Sequence, residues 1–390
     1  MLIQFHLLQN YSPSNLNRDD TGSPKDAIFG GVLRGRISSQ CLKRSMRLSA
    51  IFEDAFKAEG LLGERTKQLP LIIRQELVAL GASDEEVNAI IERVPEIGRE
   101  SKKKTKEEAK EVQSEETDGG VEEESEAAVG ETAQLIFIDR KTEAHPLAEK
   151  LLQVYRKLGM KKWGQTKIPD ITKELGERLP RSVDISMFGR MTTSQAFKNV
   201  QASVQVAHAL SANALKQEFD YYTAMDDLKP ESEPGADMIG DVEFNSCTYY
   251  KYLNVHWDEL VKNLGGDMAI ARRAVLALLR AAAMAHPSGK QNSFGAFNLP
   301  DFVLVEVSDR NLPVSYANAF LKPVSGFSDK SLMANAVEKM SGYVERLSKV
   351  YNLDPKRAYL TVDNLPFLKL QAQPSLKDLE KWLDALLPKS

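Results

Sequence analysis

Residues 247–257 read CTYYKYLNVHW. The aromatic residues and the alternation along this stretch predict a strand. On its N-terminal side lies KQEFDYYTAMDDLKPESEPGADMIGDVEFNS (216–246), acidic and punctuated by Pro and Gly at its middle, which reads as a long hairpin or extended loop leaving the body. On its C-terminal side, the Ala/Leu-rich run 268–285 predicts a buried helix. A polar Gly-containing loop, PSGKQNSFGAF (287–297), comes next, and then a strand, DFVLVEVSD (301–309). Far away in the chain, residues 2–8 alternate weakly through Ile3, Phe5 and Leu7 and suit another strand. Strands that interleave with helices and come from distant parts of the chain predict an α+β fold. The expected form is a sheet with helices on one face and large insertions. A ferredoxin-like or RRM-like core fits this order, and such cores are common RNA platforms.

Between these anchors the chain supplies mostly helical signals. Residues 9–37 are turn-rich and basic, and a helix starts at Ser38 or Ser39 with apolar positions at Leu42, Met46, Ile51, Phe52 and Phe56. Residues 68–95 predict two short helices, entered at Pro70 and at Ser83 ahead of Glu85 and Glu86. The stretch 100–132 is low in complexity and has almost no apolar surface, so it is expected to be disordered or a solvated helix. QLIFID (134–139) precedes an amphipathic helix over 145–160, rich in Lys and Arg, for which a charged solvent face is the ordinary explanation. Residues 183–208 are predicted to be strand-like around Gly189, and a helix from Ser375 carries the stripe Leu376, Leu379, Trp382, Leu383 and Leu386.

The 390 residues have ordinary apolar and charged content for a soluble protein, 42% and 27%. Two cysteines, Cys41 and Cys247, form neither a disulfide framework nor a zinc spacing, which fits a reducing compartment. The N-terminus lacks the marks of a signal peptide, and no apolar run reaches the ~18 residues of a membrane span. The expected location is the cytoplasm, away from any membrane. The net charge of −4 conceals an uneven distribution: residues 101–130 carry −5 and residues 218–243 carry −8, which leaves +9 on the remainder. A basic body behind two acidic segments is compatible with nucleic acid.

The densest basic stretch is SNLNRDDTGSPKDAIFGGVLRGRISSQCLKRSMR (14–47), with seven Lys or Arg against three acids. Cations, a flexible Gly pair and a capped helix start are suited to holding phosphates. Lys43, Arg44 and Arg47 share one side of the helix, although a plain surface helix with scattered charge is the alternative. Arg34 and Arg36, two apart in an extended segment, are predicted to point to one side. Asp19, Asp20 and Asp26 admit a metal site for phosphodiester cleavage, but acids this close in a basic loop usually pair with the neighbouring Arg. No His, Ser or Cys forms a nucleophile–base pair, and GGVLRG lacks the GK[ST] ending of a phosphate-binding loop. Phe188, Met191 and Phe197 are candidates for stacking on bases, with core packing as the alternative.

SPSNLNRDD, KDAIFGG, RGRISSQCLKRSMR, VDISMFGRMTTS, YYTAMDDL and KQNSFGAFNLPDFV occur in this order, and the chain resembles the CasC family, the backbone subunit of the type I-E CRISPR surveillance complex Cascade. The likeness covers most of the chain outside 57–180. It implies an RRM-like palm from residues 1–56, 183–215 and 247–390, helical fingers over 57–182 interrupted by the 100–132 insertion, and a thumb hairpin over 216–246. It further implies guide-backbone contacts at Arg18, Ser38, Gln40, Lys43, Arg44 and Arg47, a base-packing residue at Met191, and an RNA-proximal loop at Lys290 and Gln291. Lys157, Lys161 and Lys162 match the family's duplex-contacting finger helix loosely. Two departures stand out. Val32 and Leu33 follow the Gly pair where relatives can have a basic residue, and the 100–132 insertion has no counterpart.

The resemblance implies a protein without enzymatic activity, cofactor or metal. Copies would line up head-to-tail on a guide RNA beside other Cascade subunits and present its bases to target DNA. The acids of the hairpin, Asp226 and Asp227 among them, are expected to face a neighbour's basic palm or solvent, with Met238 and Ile239 meeting bases. The rivals are a metal-dependent RNase using Asp20 or Asp26 and a stand-alone single-strand RNA-binding protein.

Overall fold

The computed structural model describes residues 1–98, 131, 132, 134–172, 175, 179–224, 238–326 and 330–389. Most of the 100–132 insertion, and the hairpin tip with Asp226 and Asp227, lie outside the described residues. The chain forms two compact units. The first comprises Met1–Ser49, Val206–Asn254 and Leu276–Leu387; the second comprises Ala50–Gln205, Val255–Val275 and Pro388–Ser390. In chain order the strands are β1 (Leu2–Asn10), β2 (Asp26–Phe29), β3 (Val32–Ile37), β4 (Glu64–Thr66), β5 (Ile136–Ile138) and β6 (Val204–Val206). They continue with β7 (Ala209–Ser211), β8 (Glu218–Ala224), β9 (Met238–Phe244), β10 (Thr248–His256), β11 (Phe302–Ser308) and β12 (Lys356–Thr361).

The first unit is built on a sheet in the order β12-β11-β1-β10-β7-β3-β2, so the fold is α+β. β1 runs antiparallel to β11 from Leu2↔Ser308 to Leu8↔Phe302, and β11 antiparallel to β12 from Phe302↔Thr361. The weak alternation in β1 has a cause: the strand is buried on both faces from Leu2 to Gln9. Ile3, Phe5 and Leu7 fill one face. On the other, Gln4 and His6 join a buried polar network in which His6 Nδ1 meets Tyr250 Oη at 2.8 Å and Tyr316 donates to Glu306 at 2.9 Å. Arg357 donates to the same carboxylate from β12 at 2.5 Å. Apart from His6 Nε2, which lies 3.3 Å from a Glu306 oxygen without forming a hydrogen bond, these groups satisfy one another, which is what makes polar residues tolerable there. The helix Leu332–Tyr351, capped by Ser331 Oγ on Ala334 N at 3.2 Å, lays Met333, Ala336, Val337, Met340 and Val344 against a core that includes Tyr250, Phe302, Tyr359 and Phe367.

β2 and β3, in a stretch predicted as turn-rich, close a tight hairpin with Phe29↔Val32 flanking Gly30–Gly31. Both glycines have positive φ, 61° and 76°, which a two-residue hairpin turn requires. β8 and β9 pair antiparallel from Glu218↔Phe244 to Ala224↔Met238, which gives the predicted hairpin its arms; every residue of β8 is exposed.

The second unit is mainly helical. Leu69–Ala79, with Pro70 in its first turn, Asp84–Ile91, with a Ser83–Glu86 capping box, and His145–Trp163 surround a core of Leu69, Ile73, Ile90, Ile138, Leu147, Leu151 and Trp163. Two expectations fail on tertiary grounds. Residues 183–188 form a short helix rather than a strand. All of Val183–Met187 is buried, so alternation carries no weight, and Asp184 Oδ1 accepts from Ile185 N at 3.0 Å and Gly63 N at 2.8 Å. The helix begun at Ser39 ends at Arg47, and a second covers Ala50–Phe56. Among the described residues no helix is long and apolar enough to cross a membrane.

Candidate nucleic-acid interface

The basic stretch is organised by asparagines and serines. Asn15 Nδ2 donates to Gly22 O and Glu243 O, each at 3.0 Å, tying the loop to the base of the β8–β9 hairpin. Asn17 joins the loop to the helix: its carbonyl accepts from Lys25 N at 2.8 Å and its Oδ1 from Ser38 N at 2.8 Å. Ser38 Oγ then caps the helix Ser39–Arg47 by accepting from Cys41 N at 3.2 Å, and His208 Nδ1 accepts from Ser39 N at 3.1 Å. Ser39 Oγ donates to Gln40 Oε1 at 3.1 Å. Leu42 and Met46 are buried, which turns the adjoining Lys43–Arg47 row outward at half-burial and exposes Arg44. This helix holds three cations and no carboxylate. Arg18 is exposed on the loop that Asn15 and Asn17 fix.

Of the acids expected to pair with the neighbouring Arg, Asp19 serves its own turn. Asp19 Oδ1 accepts from Thr21 N at 2.9 Å, Thr21 Oγ1 at 2.8 Å and Ser23 N at 3.0 Å, and the Thr21 hydroxyl in particular holds its carboxyl below the usual range. Asp19 therefore shapes its own turn. Asp26 contributes its carbonyl oxygen to Arg36 Nε at 3.0 Å. Among the described residues no group of three or more His, Cys, Asp or Glu is placed to hold a metal ion.

Arg34 and Arg36 do not act as a pair. Arg34 is fully buried; its guanidinium donates to the carbonyls of Ser211 and Ala212 at 2.9 Å, Phe320 at 2.7 Å and Leu321 at 3.2 Å. It clamps two backbone segments and is withdrawn from any surface ligand, because those carbonyls leave the guanidinium better satisfied inside than a bare cation would be. Gln291 also has a structural task in its loop. Its Nε2 donates to Pro287 O at 2.9 Å and Ala296 O at 3.1 Å, so the amide hydrogens brace their own loop. Lys290, half-buried with φ of 50°, stays beside the basic loop, because Gly289 packs so closely on the Leu16 carbonyl oxygen that no Cβ fits there.

Lys251, Asn17 and His208 belong to this region and are not picked out by the sequence reading. For Asn17 the signal is present: an Asn-Leu-Asn in a turn-rich loop suggests side-chain capping of the backbone. Lys251 sits on β10, fully buried, with Nζ 3.4 Å from Ala282 O and 5.9 Å from the centre of the Tyr11 ring, and desolvation pushes its amine down to about 7. Burial raises both thiols, Cys247 to about 11, so neither is a reactive thiolate.

In the second unit, Arg190 is locked by Glu143 (2.6 and 2.7 Å) and by the carbonyls of Phe137 and Lys198, and the next side chain, Met191, projects with 51% exposure. Phe197 is buried under Arg190 and Phe188 packs on Phe52, so these two rings serve the core rather than stacking. Lys157, Lys161 and Lys162 are exposed, but the helix is interrupted at Gly159 and the three do not form one continuous row. Lys161 and Lys162 occupy the last turn, where the helix dipole favours cations. Arg156, in the same run, is held by Glu86 at 2.7 and 3.0 Å.

The whole chain is similar to chains of solved structures, among them the following two. One, a "CRISPR RNA-guided surveillance complex, pre-nicking", contains a chain 28% identical, with a TM-score of 0.76 and 99% of each chain covered. In another, a "CRISPR RNA-guided surveillance complex", the identity is 25%, the TM-score 0.57 and the coverage again 99% of each chain. No curated protein matches the chain. The sequence profile of the CT1975-like protein family matches residues 3–386, and the chain belongs to that family.

Proposed function

We propose that the chain is a non-enzymatic backbone subunit of a CRISPR guide-RNA complex of the CasC, type I-E kind, working in the cytoplasm beside other Cascade subunits. The observation that carries this reading is the likeness to a chain of an RNA-guided surveillance complex over 99% of both chains. In this reading the sheet unit is an RRM-like palm, the helical unit the fingers, and the β8–β9 hairpin the thumb. Arg18, Lys43, Arg44, Arg47 and Lys290 hold guide phosphates around the Ser38–Gln40 helix start, with Arg36 beside them. Arg34 and Gln291 brace the surface that carries them. Met191 packs on guide bases, and Lys157, Lys161 and Lys162 attract target DNA. Contacts to phosphates carry no sequence information, so one protein serves any guide, and base pairing reads the target.

The hairpin supports head-to-tail assembly. Phe219, Tyr221, Tyr222 and Ile239 are exposed on it, and a two-stranded ribbon has no core of its own, so it needs a neighbour or a strand of RNA to cover these side chains. A heterologous contact of that kind propagates along the guide.

Lys43→Glu with Arg44→Glu is expected to abolish co-purification of RNA with the assembled complex; retained RNA would sink the site assignment. Incubating the complex with matched RNA and Mg²⁺ is expected to leave the RNA intact. Cutting that vanishes on Asp20→Ala or Asp26→Ala would establish the nuclease instead. Size exclusion with and without guide RNA separates a multi-copy assembly from a stand-alone RNA binder.

A further inference from the structure

The loop after the helix Met268–Met284 is tied down by side-chain hydrogen bonds, yet it presents apolar side chains outward. Phe297 is 61% and Leu299 56% exposed, beside Met284 at 47%. Exposed apolar residues are common singly, so exposure alone decides nothing. The scaffolding under these residues distinguishes them. Asn298 Oδ1 accepts from Ser12 N and Ser12 Oγ at 3.1 Å each, and its carbonyl accepts from Gln9 Nε2. Gln291 ties Pro287 to Ala296. The Phe297 ring meets the His286 ring edge-on, with centroids 5.7 Å apart at 85°, and His286 Nδ1 lies 3.3 Å from Tyr11 Oη. A ring fixed in this way has already lost its conformational freedom, so a ligand that lies on it loses little more.

The position of the loop names the ligand. Its two ends meet the segment that carries Arg18: Asn298 is hydrogen-bonded to Ser12, and Gly289 packs against the Leu16 carbonyl with no room for a Cβ. Phe297 thus lies between two contacts with the basic loop, one hydrogen-bonded and one packed, with Lys290 next to the packed one. Aromatic faces set beside cations are how single strands are bound without regard to sequence. Burial, together with Lys251, pushes the His286 imidazole down to about 4, so the support under the ring is uncharged at neutral pH and offers nothing to a phosphate.

We propose that Phe297, backed by His286 and Tyr11, is a stacking platform for a base of the single strand whose phosphates the adjoining loop and helix hold. This rests on the guide-RNA reading. Phe297→Ala and Phe297→Leu in the full chain should both weaken guide RNA binding roughly 5- to 100-fold, because Leu keeps apolar volume but has no π-face. In Phe297→Trp, tryptophan emission should be quenched when RNA binds, and guides carrying 2-aminopurine at successive positions should show quenching at a regular interval. Wild-type affinity in both Phe297→Ala and Phe297→Leu would overturn the proposal. So would a change in Phe297→Trp emission on association of copies without RNA, which would make the patch a protein contact. Lys43→Glu with Arg44→Glu separates the two levels. If it retains RNA, the assignment of the phosphate-holding cations beside the platform fails; if the wild-type complex carries no RNA at all, the guide-RNA reading fails; if the wild type binds RNA and Phe297→Ala binds it equally well, only the stacking platform fails.

Discussion

Lys251 shows how much one buried group can set. Its amine lies 3.4 Å from the Ala282 carbonyl oxygen and 5.9 Å from the centre of the Tyr11 ring, with desolvation as the main influence on it. The folded-state value of about 7 lies below the ordinary 10.5. Between those values the unfolded chain binds a proton that the folded chain does not, so this residue makes stability rise with pH across that window. Lys251→Met is expected to stabilise the protein at pH 7 by about 1–4 kcal/mol, with the advantage shrinking toward pH 10. Chemical denaturation at several pH values measures it, and a variant less stable at pH 7 would contradict it. Arg34 and Arg36 make the complementary point about legibility. They are two residues apart and chemically identical, yet one is interior and one half-exposed. Carbonyls at Ser211 and Phe320, far away in the chain, decide between them, and no local pattern reports that.

Local signals were readable wherever the element depends on local chemistry. Ser38, Ser83 and Ser375 each cap the helix they were predicted to open. The helix Leu332–Tyr351 is not among the predicted elements, although the spacing of Met333, Val337, Met340 and Val344 carries its signal. Elements buried on every side, such as Val183–Phe188, lose their periodicity and with it their signature. The β2–β3 hairpin depends on its two glycines, and Gly30 additionally sits against the Leu321 carbonyl oxygen. Gly30→Ala combines a strained φ with that collision and is expected to cost about 1–3 kcal/mol in urea denaturation. Gly31→Ala, with open space around it, should cost only the strain and so less.

Across the whole molecule, charge distribution outweighs net charge. If Arg18, Lys43, Arg44 and Arg47 each neutralise one phosphate, log K against log salt should have a slope of about −3 per subunit, and removing one of these cations should reduce it by about 0.7. Arg34→Met should leave the slope unchanged while lowering stability, which tests its role as a clamp. The sheet also has a temporal consequence. β1 pairs with β11, and Gln4 reaches Glu306, 302 residues further along. A ribosome releases the first strand long before its neighbour exists, so the basic loop that follows β1 has no settled frame until nearly the whole chain has emerged. In the proposed guide-RNA role, a nascent chain that lacks β11 is therefore expected to be a poor binder. Stalled ribosome–nascent chains ending before Phe302 should accordingly show no retention of RNA, and retention would contradict this order of events.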